Sequence, residues 1–146
     1  DPMQRETVGY LINLIARLLA QALKARNGGD GILPGQYPLA LELLRHDGAT
    51  QRELCEAVRL EQATVANTLK RMERDGLVER RPTSDNARLA TNHLTAKGRD
   101  LARIAVENAL DVNQTALEGL DAEACAALRH ALSGIALRLE ADLAKK

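Results

Sequence analysis

The tightest constraint on this chain lies in residues 49–98, where two short amphipathic stretches run directly into a ribbon with turn residues at its tip. Thr50 and Glu53 stand at the T-x-x-E spacing of a capping box, in which each side chain satisfies a free backbone donor of the first helical turn. The helix that follows turns Leu54 and Val58 inward. Arg59-Leu60 makes the turn to a second helix, with Leu60 expected as an apolar plug between the two and Glu61 a weaker N-cap than Ser or Asp. Residues 62–75 place Val65, Leu69 and Met72 on one stripe at helical period.

The other side of that second helix carries Ala63, Asn67, Lys70 and Arg74, flanked by Thr64 and Arg71, with Gln62 at its start. Such a face suits a DNA major groove. Small residues permit close approach, an Asn can bond adenine through two atoms, and cations reach phosphates. A solvated surface helix has much the same composition, so the helix alone does not decide. What comes next does. Gly76 stands where a helix ends in a left-handed residue, residues 77–81 read as a strand with Arg80 and Arg81 near its end, and residues 82–87 are turn chemistry. Arg88 opens a return strand through Leu94, and Thr95 caps the next helix. A hairpin with arginines on both sides of its tip is a wing, able to lie along the DNA backbone with an arginine in the minor groove. The expected fold class is mainly α with a small β-hairpin wing, a winged helix-turn-helix.

At 146 residues the chain is one intertwined domain, with only Tyr10 and Tyr37 as aromatics, so the core is aliphatic. Its expected parts are residues 1–33, a dimerisation helix and loop; residues 34–98, the DNA-binding region; and residues 99–146, further dimerisation helices. Lys plus Arg equals Asp plus Glu at 20 each, but the charge is unevenly spread. Residues 70–88 hold six cations against four acids, whereas residues 99–146 hold six against eight. Moderate, salt-dependent affinity for nucleic acid follows.

The first helix, residues 7–26, has an apolar arc covering more than half its circumference, including Leu11, Ile12, Ile15 and Leu19, while Asn13, Arg17, Gln21 and Lys24 stay wet. One face is expected to pack on its own domain and the other on a second subunit. Residues 27–31 form a flexible loop, and a second helix starts near Pro34, with Pro34 or Pro38 in its first turn. After the wing, a long helix turns Leu101, Ile104, Ala105 and Val112 inward, and Asp121 caps a last helix. There Leu128, Leu132, Ile135, Leu139 and Leu143 fall at spacings of three or four, a coiled-coil-like seam, so an intertwined homodimer is expected. No segment approaches about 18 consecutive apolar residues and no signal peptide opens the chain, so no membrane partner and a cytoplasmic location are expected.

These residues resemble the MarR (multiple antibiotic resistance regulator) family of bacterial transcription factors. The resemblance is carried by PGQYPLALELLRHDGATQRELCEAVRLEQATVANTLKRMERDGLVERRP and by LTAKGRDL after the wing. It implies a homodimer built from the N- and C-terminal helices, binding a pseudo-palindromic double-stranded operator through Gln62, Ala63, Thr64, Asn67, Lys70, Arg71 and Arg74 of the second helix. It also implies a ligand-responsive repressor that a small, often aromatic effector releases, with Arg17 and Tyr37 as candidate liners of the effector pocket. The wing departs from the family's D-x-R-D-x-R. This chain has Thr83-Ser84-Asp85-Asn86-Ala87-Arg88, so only Arg88 carries over and Asp85 replaces an arginine.

Two other readings stand beside the regulator. A winged-helix interaction module that no longer reads DNA accords with the neutral charge and altered wing, and a thiol- or metal-responsive regulator would use the cysteines or histidines. Cys55 and Cys125 form no C-x-x-C motif, and His46, His93 and His130 lie in separate elements, so no metal, cofactor or catalytic constellation is expected.

Overall fold

The computed structural model describes residues 7–83, 85–86 and 89–145. Its elements are α1 (Val8–Asn27), α2 (Tyr37–Arg45), β1 (Ala49–Thr50), α3 (Gln51–Val58), α4 (Gln62–Arg74), β2 (Val78–Arg81), β3 (Thr91–Leu94), α5 (Ala96–Ala116) and α6 (Ala122–Ala144). The chain divides into two units, residues 1–112 and 113–146.

In the first unit the core gathers Ile32, Leu39, Leu43, Leu54, Val65, Leu69 and Met72, with Leu77, Val78, Leu94, Ala102 and Ala105. Each of α2, α3 and α4 contributes one stripe at helical spacing, so three short amphipathic helices close over a common centre that none could cover alone. The capping box is formed: Glu53 N donates to Thr50 Oγ1 at 3.2 Å and Thr50 N donates to Glu53 Oε1 at 3.0 Å. These hydrogen bonds from Thr50 hold the Glu53 carboxyl below the usual range.

The sheet has three strands in the order β1-β3-β2, one more than the hairpin expected. Ala49 and Thr50 pair antiparallel with Asn92 and Thr91, while β2 pairs with β3 from Val78↔Leu94 to Arg81↔Thr91. The third strand was hidden because two residues carry no readable alternation. Its pairing is fixed by a distant partner: fully buried Asn92 donates its side-chain amide to Ala49 O at 3.0 Å, and Gly48 N donates to Asn92 O at 2.8 Å. The return strand runs over Thr91–Leu94, and position 88, its expected start, lies outside the described residues.

The sequence LTAKG ties α5 to the end of α4. Leu94 enters the core, and Thr95 Oγ1 accepts from Gly98 N at 2.9 Å while donating to Gly76 O at 2.6 Å. Lys97 Nζ donates to Asp75 O at 3.0 Å. Gly98 lies so close to the Leu77 carbonyl that a Cβ would fall 2.8 Å from its carbon and 3.0 Å from Leu77 Cα.

Two expectations about packing are corrected. Leu60 is 38% exposed rather than buried as a plug between the helices. With Arg59 in the left-handed region at φ 56°, the space between α3 and α4 is bridged instead by the buried Gln51, whose Nε2 donates to Gln62 Oε1 at 2.9 Å. Ile104 is 48% exposed; the inward face of α5 is Gly98, Ala102, Ala105 and Val112, small residues that let the helix approach closely. A third concerns membrane spans. α1 is 20 residues long and contains an 18-residue window of mean hydropathy 1.2, enough to cross a bilayer by length and composition alone, because Asn13, Arg17, Gln21 and Lys24 are spread among apolar residues.

Thr7 caps α1, accepting from Tyr10 N at 3.4 Å. The C-terminal end of α1 is fastened within the unit by Arg26 Nε to Asp111 Oδ2 at 2.7 Å and by Asn108 Nδ2 donating to Asn27 Oδ1 at 2.8 Å. Elsewhere α1 is open, with Val8, Tyr10, Leu11, Ile12, Ile15 and Leu18 exposed and Leu19 half-buried. In the second unit Asp121 Oδ1 caps α6 by accepting from Ala124 N at 2.8 Å, and α6 buries none of its residues.

Candidate nucleic-acid interface

The candidate reading face is the outward side of α4. Val65, Leu69 and Met72 are fully buried, which fixes the helix's rotation about its axis and leaves Gln62, Ala63, Thr64, Asn67, Lys70, Arg71 and Arg74 all exposed. A helix held by one stripe presents the opposite stripe in register, small and amide-bearing first, cationic later. Among the described residues, Lys70 and Arg71 carry no ion pair.

Arg74 is tied down. Its Nε donates to Asp75 Oδ1 at 3.1 Å, and this bond holds the Asp75 carboxyl below the usual range against some loss of hydration, with the Arg74 charge, Gln36 and Lys97 adding to it. Gln36, itself buried, gives Nε2 to Asp75 Oδ2 at 3.4 Å and accepts from Leu33 N at 3.1 Å. The C-terminal end of α4 is thus linked to the turn before α2, a role for Gln36 with no visible mark in the sequence.

In the wing, Arg81 is exposed and ion-paired with Glu79 at 3.2 Å, whereas Arg80 is half-buried with its Nε inside. Near the tip, Thr83 Oγ1 donates to Leu89 O at 2.7 Å and Leu89 N donates to Asn86 O at 3.0 Å. Asp85 is exposed; Ser84, Ala87 and the wing arginine Arg88 lie outside the described residues.

The remaining sequence candidates fall away from this face. Tyr37 packs against the core, where burial pushes its hydroxyl pKa up against the opposing pull of Arg45, and Arg17 is exposed on α1. An open depression of about 430 Å³ lies between α2 and α3, lined by Glu42, His46, Ala49, Glu53, Glu56 and Ala57, and includes neither. Cys55 is buried and its thiol pKa is raised by burial, which opposes thiolate formation; Cys125 is half-buried on α6. His93 sits between Asp47, at 3.3 Å, and Thr91, at 2.8 Å, and no group of three or more metal-ligating side chains occurs among the described residues.

Residues 30–89 match the model of the MarR family. The chain is 22% identical over 131 residues to the HTH-type transcriptional regulator YybA of Bacillus subtilis (strain 168), covering 90% of this chain and 87% of that protein. A MarR family transcriptional regulator from Listeria monocytogenes, solved in complex with a 26mer DNA, has TM-score 0.81 at 20% identity, over 94% of this chain and 91% of that one. The PcaV regulator of Streptomyces coelicolor, solved with its natural ligand, has TM-score 0.79 at 23% identity, over 90% and 92%. The fold of these proteins is the fold described above. With residues 30–89 matched to the family model and the same winged architecture around them, this chain is similar in sequence and fold to DNA-binding transcriptional regulators of the MarR family.

Proposed function

We propose that the chain acts as a homodimeric repressor, reading a pseudo-palindromic operator with α4 in the major groove and the wing on the backbone. The observation that carries this is the exposed face of α4, Gln62 through Arg74, with Lys70 and Arg71 unpaired among the described residues. In this reading Gln62, Thr64 and Asn67 meet base edges, Lys70 and Arg71 meet phosphates, and Arg80, Arg81 and Arg88 serve the wing. Arg80 acts from beneath, shaping the wing, because its Nε is buried.

Dimerisation falls to the apolar residues left open or half-buried in each unit: Leu11, Ile12, Ile15 and Leu19 of α1, and Leu128, Leu132, Ile135 and Leu139 of α6. So many exposed leucines on two helices call for a covering surface. The domain division at residues 33 and 98 is part of this proposal, as is a cytoplasmic site of action. The effector is a small aromatic acid that meets Arg17 and Tyr37 and lowers operator affinity. Relatives lend support: PcaV is solved with its natural ligand, and DNA binding by BpsR of Bordetella bronchiseptica is regulated by 6-hydroxynicotinic acid. The acid-lined depression between α2 and α3 would repel such an anion.

The test is selection from random duplexes with the intact chain, joined to sedimentation. One enriched motif repeated about one helical turn apart, bound by a dimer, is the expected result. Truncation after Asp121 should abolish the dimer. No enrichment, or a compact stable monomer of the intact chain, refutes the proposal.

A further inference from the structure

Gln62 opens α4 and is exposed, and an exposed glutamine is ambiguous to a base edge: its amide offers an acceptor at one end and two donors at the other, and a half-turn exchanges them. In this structure one of the two orientations is held by a neighbour. Gln51, buried at the first position of α3, donates Nε2 to Gln62 Oε1 at 2.9 Å. Gln51 is itself held on a rigid seat, since Thr50 before it is both the N-cap in the capping box and a strand residue paired with Thr91.

From this contact we infer that Gln51 is a positioning residue for base recognition. It pins the carbonyl end of the Gln62 amide inward, so the amino group of Gln62 faces outward as a fixed donor and selects a base with a major-groove acceptor at one position of each half-site. Purine N7, guanine O6 and thymine O4 are such acceptors, whereas the amino groups of cytosine and adenine are not. The inference rests on the DNA-reading role of α4. A helix staple alone would need the same hydrogen bond but would have no influence on which base is preferred.

The experiment selects operators from random duplexes with the full-length parent and with Gln51→Met, Gln51→Glu and Gln62→Glu, then measures binding to single-base variants and to scrambled duplex. Gln51→Met keeps the volume and loses the hydrogen bond. It should lower preference at one position per half-site about tenfold while leaving scrambled affinity unchanged. In Gln51→Glu the new carboxylate accepts from the Gln62 amino group, the carbonyl turns outward, and preference at the same position should move to a base presenting a donor, cytosine or adenine. Gln62→Glu, on the surface, should make the same move toward cytosine because Gln51 still holds one carboxylate oxygen.

Melting curves establish that each variant is folded; if Gln51→Glu is not, the other two variants carry the test. A specific parent whose preference survives in Gln51→Met overturns this inference and leaves the DNA-reading role standing. A parent that enriches no sequence overturns both.

Discussion

Replacing Gly98 by alanine separates helix propensity from packing, because the two predict opposite signs. Gly98 is the third residue of α5. In an isolated helix, Gly→Ala stabilises by about 1 kcal/mol. In this chain the new methyl would be driven into the Leu77 carbonyl, within 2.8 Å of its carbon, and that carbonyl also accepts from Thr95 N at 3.0 Å. Neither side can yield freely: Leu77 is buried and its N–H is bonded to Met72 O at 2.8 Å, while Thr95 is fastened to Gly76. Moving α5 away weakens the Thr95–Leu77 bond, a loss of about 1–3 kcal/mol when a group is left unsatisfied, and overpacking adds about 1–3 kcal/mol. Net of the propensity gain, Gly98→Ala should destabilise by roughly 1–5 kcal/mol. Urea unfolding of the intact chain gives the midpoint, and the slope shows whether the native state stays compact. Because the displaced segment joins α4 to the wing, operator affinity should fall even where the variant is folded. A midpoint at or above that of the parent would refute the reasoning.

Asn67→Ala should cost about 1–3 kcal/mol on the preferred operator and relax preference at one base position per half-site, read by titration against single-base variants. Arg71→Ala should weaken specific and scrambled duplex nearly alike and flatten the salt slope by about one unit for each phosphate no longer neutralised. Thr50→Ala should destabilise the chain by about 1 kcal/mol through loss of the N-cap, read from chemical denaturation. The pH dependence has a definite sign. Glu53 and Asp75 are both held below the usual carboxylate range by their hydrogen bonds, so their stabilisation is full above the unfolded-state values and is lost as pH falls through the lowered folded ones. Glu53→Gln should therefore flatten the acid limb of the stability profile and leave the slope near neutrality unchanged, as acid titration of the melting temperature would show.

Local chemistry alone determined much of this protein. The Thr50–Glu53 box, the stripe of Val65, Leu69 and Met72, the left-handed Gly76 and the Asp121 cap each depend on residues within a turn or two of one another, so their spacing along the chain already contains the geometry. The outward face of α4 was legible for the same reason: once the buried stripe is known, the opposite side follows from 3.6 residues per turn. What lay beyond the sequence involves partners far along the chain. β1 exists because Asn92, 43 residues away, supplies both a backbone and a side-chain partner. Leu60 and Ile104 have inward-looking periodicity, but their burial depended on whether another element arrived to cover them, and among the described residues both stay exposed. The amide pair of Gln51 and Gln62 is the sharpest case, since two polar residues at helix starts give no signal in a hydrophobic pattern. Only the crossing of α3 and α4 sets one above the other and gives an exposed glutamine a fixed orientation.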